Sequence, residues 1–165
     1  MSTDQSAPVI KRVEERDWAQ LRSIRLAALA ESPTVFGSSF EREQRYDEKD
    51  WREWSRRGAT FLATHVGAPV GIVAGVDGDR PDERKLISMW VHPGHRGTVV
   101  ATALLGAVTR WASDDGASRL TLWVARTNDT AAKLYRRAGF TPTGDSKPLP
   151  SNPSLPEDKL ALDLR

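Results

Sequence analysis

LISMWVHPGHRGTVVATALL, residues 86–105, decides the fold. Leu86–Val91 is a short apolar run with the length of a buried strand. After the turn HPGHRGT, Val100, Leu104, Ala107 and Trp111 recur at the spacing of one helix face. A strand that passes through a glycine-containing turn directly into a helix is a building unit of α/β folds. The free N–H groups at such a helix start, with the positive end of its dipole, make an anion site. Gly97 lets the backbone approach a ligand closely, and Arg96 is suited to pair with phosphate oxygens. The turn fits neither the P-loop, which needs GxxxxGK followed by Ser or Thr, nor the GxGxxG dinucleotide fingerprint.

Working outward toward the N-terminus, Thr60–Val66 and Val70–Val76 flank Gly67-Ala68-Pro69 and read as a hairpin, followed by a polar loop over Asp77–Lys85. Val9–Val13 suggests a short first strand, and residues 1–8 are polar and expected to fray. From Asp17, Leu21, Ile24 and Ala28 recur at helical spacing, with Arg22 and Arg25 on other faces, and Ser32-Pro33 ends the helix. Residues 41–57 read as a second, amphipathic helix carrying Trp51 and Trp54. Toward the C-terminus, Leu120, Leu122 and Val124 alternate as a strand, and Asp129–Ala138 reads as a helix closed by Gly139. The tail reads as a proline-rich loop, KPLPSNPSLPE, and a last strand through Leu160, Leu162 and Leu164. No repeat or domain boundary interrupts residues 1–165, so a single domain is expected.

The 165 residues suffice for one sizeable core, and 39% apolar with 28% charged residues describes an ordinary globular chain. A formal net charge of +2 gives no basic stripe, so no nucleic-acid partner is expected. Cysteine is absent, which removes disulfides, thiolate metal sites and a Cys nucleophile. His65, His92 and His95 have no metal-ligand spacing, so no metal is assigned. No stretch approaches the ~18 apolar residues of a membrane span, and the N-terminus has no apolar leader core. A cytoplasmic location without membrane association is expected.

Asn128-Asp129-Thr130-Ala131-Ala132-Lys133-Leu134-Tyr135-Arg136-Arg137-Ala138-Gly139-Phe140 carries the second constellation. VHPGHRGTVVATALL resembles the (R/Q)-x-x-G-x-(G/A) pyrophosphate loop of the GNAT superfamily of N-acetyltransferases. ARTNDTAAKLYRRAGF resembles that family's N-x-x-A-x-x-L-Y-x-x-x-G-F signature. Both stand in the family's order, and the resemblance covers residues 60–140, with a softer match at RLAALAESPTVFGSSF. One position departs. Where the pattern has a glycine this chain has Val99, whose branched side chain stands where the backbone normally approaches the ligand.

The resemblance implies an α/β, GNAT-like fold, a central mixed sheet of about six or seven strands with helices on both faces. It implies acetyl-CoA as co-substrate, lying in a V-shaped gap between strands 86–91 and 120–124, with an amine as acceptor. The expected activity is transfer of acetyl from acetyl-CoA to a primary amine, of a small molecule in the first instance, by direct attack in a ternary complex. A protein N-terminal or lysine acetyltransferase and a non-catalytic acyl-CoA sensor of the same fold are the alternatives. The co-substrate site would comprise backbone groups of Met89, Trp90 and Val91, the loop residues Arg96, Gly97, Thr98, Val99, Val100 and Ala101, and Asn128 with Tyr135. Tyr135 matches the family tyrosine that protonates the departing thiolate. A thiol pKa of about 8.5 against about 10 for tyrosine makes that transfer mildly uphill. Family members are often dimers, so a homodimer is compatible with the reading, as is a monomer.

Read by chemistry alone, Asn128 is a helix cap and Tyr135 a core tyrosine, and each reading is compatible with the family role. Candidates for the base are Glu83, His92, Glu41 and Glu43. Arg52, Arg56 and Arg57 read as a solvated helix face. Trp18, Trp51 and Trp54 are either packing or acceptor-side wall, and segment 148–156 is a candidate flap or dimer contact.

Overall fold

The computed structural model describes residues 7–33, 36 and 38–165. The expected fraying of residues 1–8 falls largely on residues 1–6, outside the described residues. Along the chain the described elements are β1 (Val9–Arg12), α1 (Trp18–Glu31), α2 (Phe40–Glu43), α3 (Glu48–Arg56), β2 (Ala59–His65), β3 (Ala68–Asp77) and β4 (Glu83–Val91). Then follow α4 (Val100–Asp114), β5 (Arg119–Ala125), α5 (Asp129–Arg137), β6 (Thr141–Leu149) and β7 (Asn152–Asp163). The strands form one mixed, seven-stranded sheet in the order β1-β2-β3-β4-β5-β7-β6. Every neighbouring pair is antiparallel except β4 and β5, the pair joined by the crossover helix α4.

Successive residues of a strand point to opposite faces, and this builds two cores. Val73 joins Leu86, Leu104, Val108, Leu120, Leu122 and Leu160 in a core under α4 and α5. Its neighbour Ile72 joins Leu21, Ile24, Leu29, Trp51 and Trp90 in a second core under α1 and α3. Helix α4 lies close on the sheet because Gly75 has no side chain: a Cβ there would stand 2.3 Å from the Trp111 ring.

Four expectations need correction. The helix read over residues 41–57 is two helices, α2 and α3, each with its own cap. Ser39 accepts from the Arg42 N–H, and Asp47 and Asp50 form a reciprocal capping box. Arg25 does not stand on an outer face of α1: it is 6% exposed. Strand β4 starts at Glu83, three residues before its apolar run, because Arg84 and Lys85 still pair with both neighbours. The proline-rich tail is no loop but a hairpin of β6 and β7, with Pro148 opposite Pro156. Prolines survive there because β6 is an edge strand and Pro156 lies just beyond the last β5–β7 pair, Ala125 with Glu157.

Candidate active site

The site begins where the sheet comes apart. Strands β4 and β5 pair at Glu83 with Arg119, Arg84 with Leu120 and Lys85 with Thr121, and no further. Opposite, β3 places one residue, Val73, against two of β4, Ser88 and Met89, between the pairs Ile72–Trp90 and Ala74–Ile87. That extra residue is a bulge, which bends the bulged strand and raises its twist. Ser88 adopts φ +58°, a left-handed conformation uncommon for a residue with a Cβ. Past Lys85 the β5-facing edge of β4 therefore carries backbone N–H and C=O groups without a strand partner. Such an edge suits an extended ligand bearing amides, as pantetheine does.

At the open end lies the predicted anion loop. A 3-10 turn, Pro93–His95, leads to Gly97 at φ +75°, a position with open space around it, and then to α4. Val99 occupies the N-cap of α4 without a side-chain cap and is 62% exposed, so its branched side chain does not fill the loop. Val100 is buried, Ala101 half-buried, and the Thr98 hydroxyl accepts from the Val100 N–H at 3.4 Å. The first-turn N–H groups of α4 have no partner within the helix, as at every helix start. Arg96 donates through Nε to the Val91 carbonyl at 2.9 Å and through Nη2 to Glu31 at 2.8 Å.

Glu31, the last residue of α1, holds three groups on one carboxylate oxygen: Arg96 Nη2, the Ser32 hydroxyl and Trp90 Nε1 at 2.8 Å. The Arg96 guanidinium first, then Ser32 and Trp90, bring its pKa down to about 2. Trp90 is buried on the α1 side, whereas Met89 and Val91 pack into the core under α4.

Across the gap, Asn128 caps α5 by accepting from the Ala131 N–H at 3.2 Å. Its helix carries Tyr135, 6% exposed, edge-on to Phe140 with ring centroids 5.8 Å apart. Burial pushes the Tyr135 hydroxyl up to about 12.

The candidate bases separate on geometry. Glu83 is buried at the start of β4 and faces Arg119 at 3.3 Å, at the closed end of the strand pair. Glu43 is committed to Arg25. His92 uses Nδ1 to accept the Gly94 N–H at 3.1 Å, so its neutral form carries the proton on Nε2. Glu41 is exposed on α2. The three histidines, scattered in sequence, meet through the β2–β3 hairpin, with His65 and His95 centroids 5.2 Å apart and His92 and His95 6.1 Å apart. Among the described residues no three His, Asp or Glu side chains converge as a metal site would. Arg52 pairs with Glu48 and Arg56 with Glu15 on the surface, and Arg57 is exposed. Trp51 is core and Trp18 packs against it, whereas Trp54 lies over Arg25.

Sequence reasoning missed Arg25, Ser88 and Glu31. The signal for Arg25 was its spacing of four from Leu21, which puts a charge on the apolar face. Ser88 and Glu31 acquire their partners only through the fold.

These features define a mixed α/β domain whose single parallel strand pair comes apart beyond Lys85 and Thr121. The profile described as the acetyltransferase (GNAT) family matches residues 18–140, and the chain belongs to that family. It is 36% identical over 88 residues to an uncharacterized N-acetyltransferase of Mycobacterium tuberculosis, a match covering 53% of this chain and 56% of that one. The chain thus spans about half the length of that relative. The fold matches a GNAT-family acetyltransferase from Streptococcus pneumoniae with TM-score 0.79 and 18% identity, over 95% of this chain and 99% of that one. It also matches a Salmonella typhimurium acetyltransferase solved with acetyl-CoA, with TM-score 0.77 and 18% identity, over 97% and 95%. Among the described residues no helix is long and apolar enough to cross a membrane.

Proposed function

We propose that the protein is an acetyl-CoA-dependent N-acetyltransferase acting on the primary amine of a small molecule, with Tyr135 as general acid. The observation that carries this is the end of β4–β5 pairing after Lys85 and Thr121, which leaves the rest of the β5-facing edge of β4 without a strand partner. When bound, acetyl-CoA supplies an acetyl group activated as a thioester. Arg96 and the first-turn N–H groups of α4 hold its pyrophosphate, and the free edge of Met89–Val91 pairs with its pantetheine amides. Asn128 holds the start of α5, and so the tyrosine, against that arm. An acceptor amine attacks the thioester carbon: the N–C bond forms, the C–S bond breaks and the amine gives its proton to water. Tyr135 gives its proton to the departing sulfur and regains one from solvent. With Tyr135 near 12 against about 8.5 for a free thiol, the transfer is steeper than the sequence suggested. A thiolate leaving into the same low-dielectric slot is itself raised by desolvation, which narrows the gap. On the α1 side of β4, Phe36, Trp54 and Trp90 are closely packed aromatics, which favours a compact acceptor over an extended peptide.

Calorimetric titration with acetyl-CoA, followed by thiol release over a panel of amines, tests the reading. Binding and amine-dependent release are expected. Tyr135→Phe is expected to lower kcat by about a hundredfold or more while acetyl-CoA still binds, the scale of a lost general acid. Failure to bind at millimolar acetyl-CoA refutes the proposal, and full activity of Tyr135→Phe removes the acid assignment.

A further inference from the structure

The most unusual buried chemistry outside the slot is an ion pair. Arg25 of α1 and Glu43 of α2 are 6% and 2% exposed and meet in a two-pronged contact, Nε to Oε1 at 2.9 Å and Nη2 to Oε2 at 3.1 Å. Phe36 and Trp54 lie against the guanidinium, 4.7 and 5.7 Å from it to their ring centroids. The remaining nitrogen, Nη1, donates to the Ser88 hydroxyl at 3.1 Å. Stability alone does not call for this arrangement, since a buried ion pair seldom outperforms well-packed apolar residues. What it does is geometric. A planar guanidinium fixed by two carboxylate oxygens and two rings has one fixed direction left for its third donor. That donor ends on the single β4 residue in the left-handed region, at the bulge that turns β4 away from β5.

We infer that Arg25 and Glu43 are positioning residues for the reaction centre: through Ser88 they lock the β4 bulge so that a backbone N–H there meets the thioester carbonyl oxygen. The inference rests on the acetyltransferase reading and adds to it the part played by the acceptor-side helices. Left to itself, the Ser88 backbone prefers φ below zero, and relaxing to it would rotate the neighbouring peptide groups and swing that N–H out of the slot. The hydroxyl anchor prevents this. Because the anchor belongs to α1 and α2, displacing either helix also disturbs the oxyanion donor, so an ill-fitting acceptor is penalised at the chemical step.

The test uses the whole chain with acetyl-CoA carrying a 13C-labelled thioester carbonyl, and no amine. The carbonyl stretch of the bound ligand is expected to lie below its value in water for the unsubstituted protein. Ser88→Ala keeps the Arg25–Glu43 pair but removes the anchor. It is expected to lose most of that infrared shift, to bind CoA within about twofold of the unsubstituted protein, and to lower kcat about ten- to hundredfold at unchanged KM for the amine, as a misaligned donor would. Ser88→Gly, which takes a positive φ freely, is expected to retain more of the shift than Ser88→Ala. An undiminished shift and kcat in Ser88→Ala overturns the inference, as does Ser88→Gly retaining no more than Ser88→Ala. Absence of acetyl-CoA binding by the unsubstituted protein overturns the acetyltransferase reading, and this inference with it.

Discussion

Burial of Tyr135, the proposed general acid, makes the same side chain answer for stability in alkali. Its folded pKa of about 12 stands above the unfolded value of 10.0. A group raised on folding contributes stability that is complete below its unfolded pKa and is lost as pH climbs from about 10 toward 12. Two units correspond to about 3 kcal/mol. Urea unfolding at a series of pH values from 9 to 11.5 should show the unsubstituted protein losing stability more steeply than Tyr135→Phe, whose ring has no proton to lose. Equal slopes for the two proteins would contradict the burial account. Tyr135 was legible as a residue in the NDTAAKLYRRAGF signature, but its pKa was not, because desolvation depends on Phe140 and the core that closes over the ring. Arg96 was legible in the same way, and its tie to Glu31 was not. That contact links α1 to a loop three strands further along the chain, and no local pattern encodes it.

Helix starts decide how the elements around the slot are held. Helix α5 is capped by the Asn128 side chain, whereas Val99 at the start of α4 gives no side-chain cap, and only the Val100 N–H meets a hydroxyl, that of Thr98. Asn128→Ala is expected to cost about 1 kcal/mol in denaturant unfolding, the usual value of such a cap. It should also weaken acetyl-CoA binding if the start of α5 is where the pantetheine arm rests. A measured loss near zero would show that the cap is dispensable. The strand–turn–helix unit of residues 86–105 was readable because its apolar spacing is local and its turn carries a glycine. The β6 strand was not readable, because four prolines in residues 147–157 look like a loop until the edge position explains them. The split of α2 from α3 was hidden for a related reason: Ser39 and Asp47 signal caps only once the chain is seen to bend between them.

At the scale of the whole molecule, the two sides of the sheet are joined along β4 and β5 by only three residue pairs, with α4 packed across both. The β5–β7–β6 side with α5 is therefore expected to move against the β1–β4 side more easily than strands within either side move against each other. Hydrogen exchange should be faster at the free edge of residues 86–91 than in β2 and β3, and acetyl-CoA should slow it there. A hundredfold excess over Kd would raise unfolding stability by about 2.7 kcal/mol. Exchange at residues 86–91 that is indifferent to acetyl-CoA would contradict this placement of the ligand. The seam has a consequence beyond catalysis. On the proposed reading, a sheet stitched by three rungs and closed by acetyl-CoA would open to proteases in proportion to how empty it is. The lifetime of the protein in the presence of protease would then follow the concentration of acetyl-CoA.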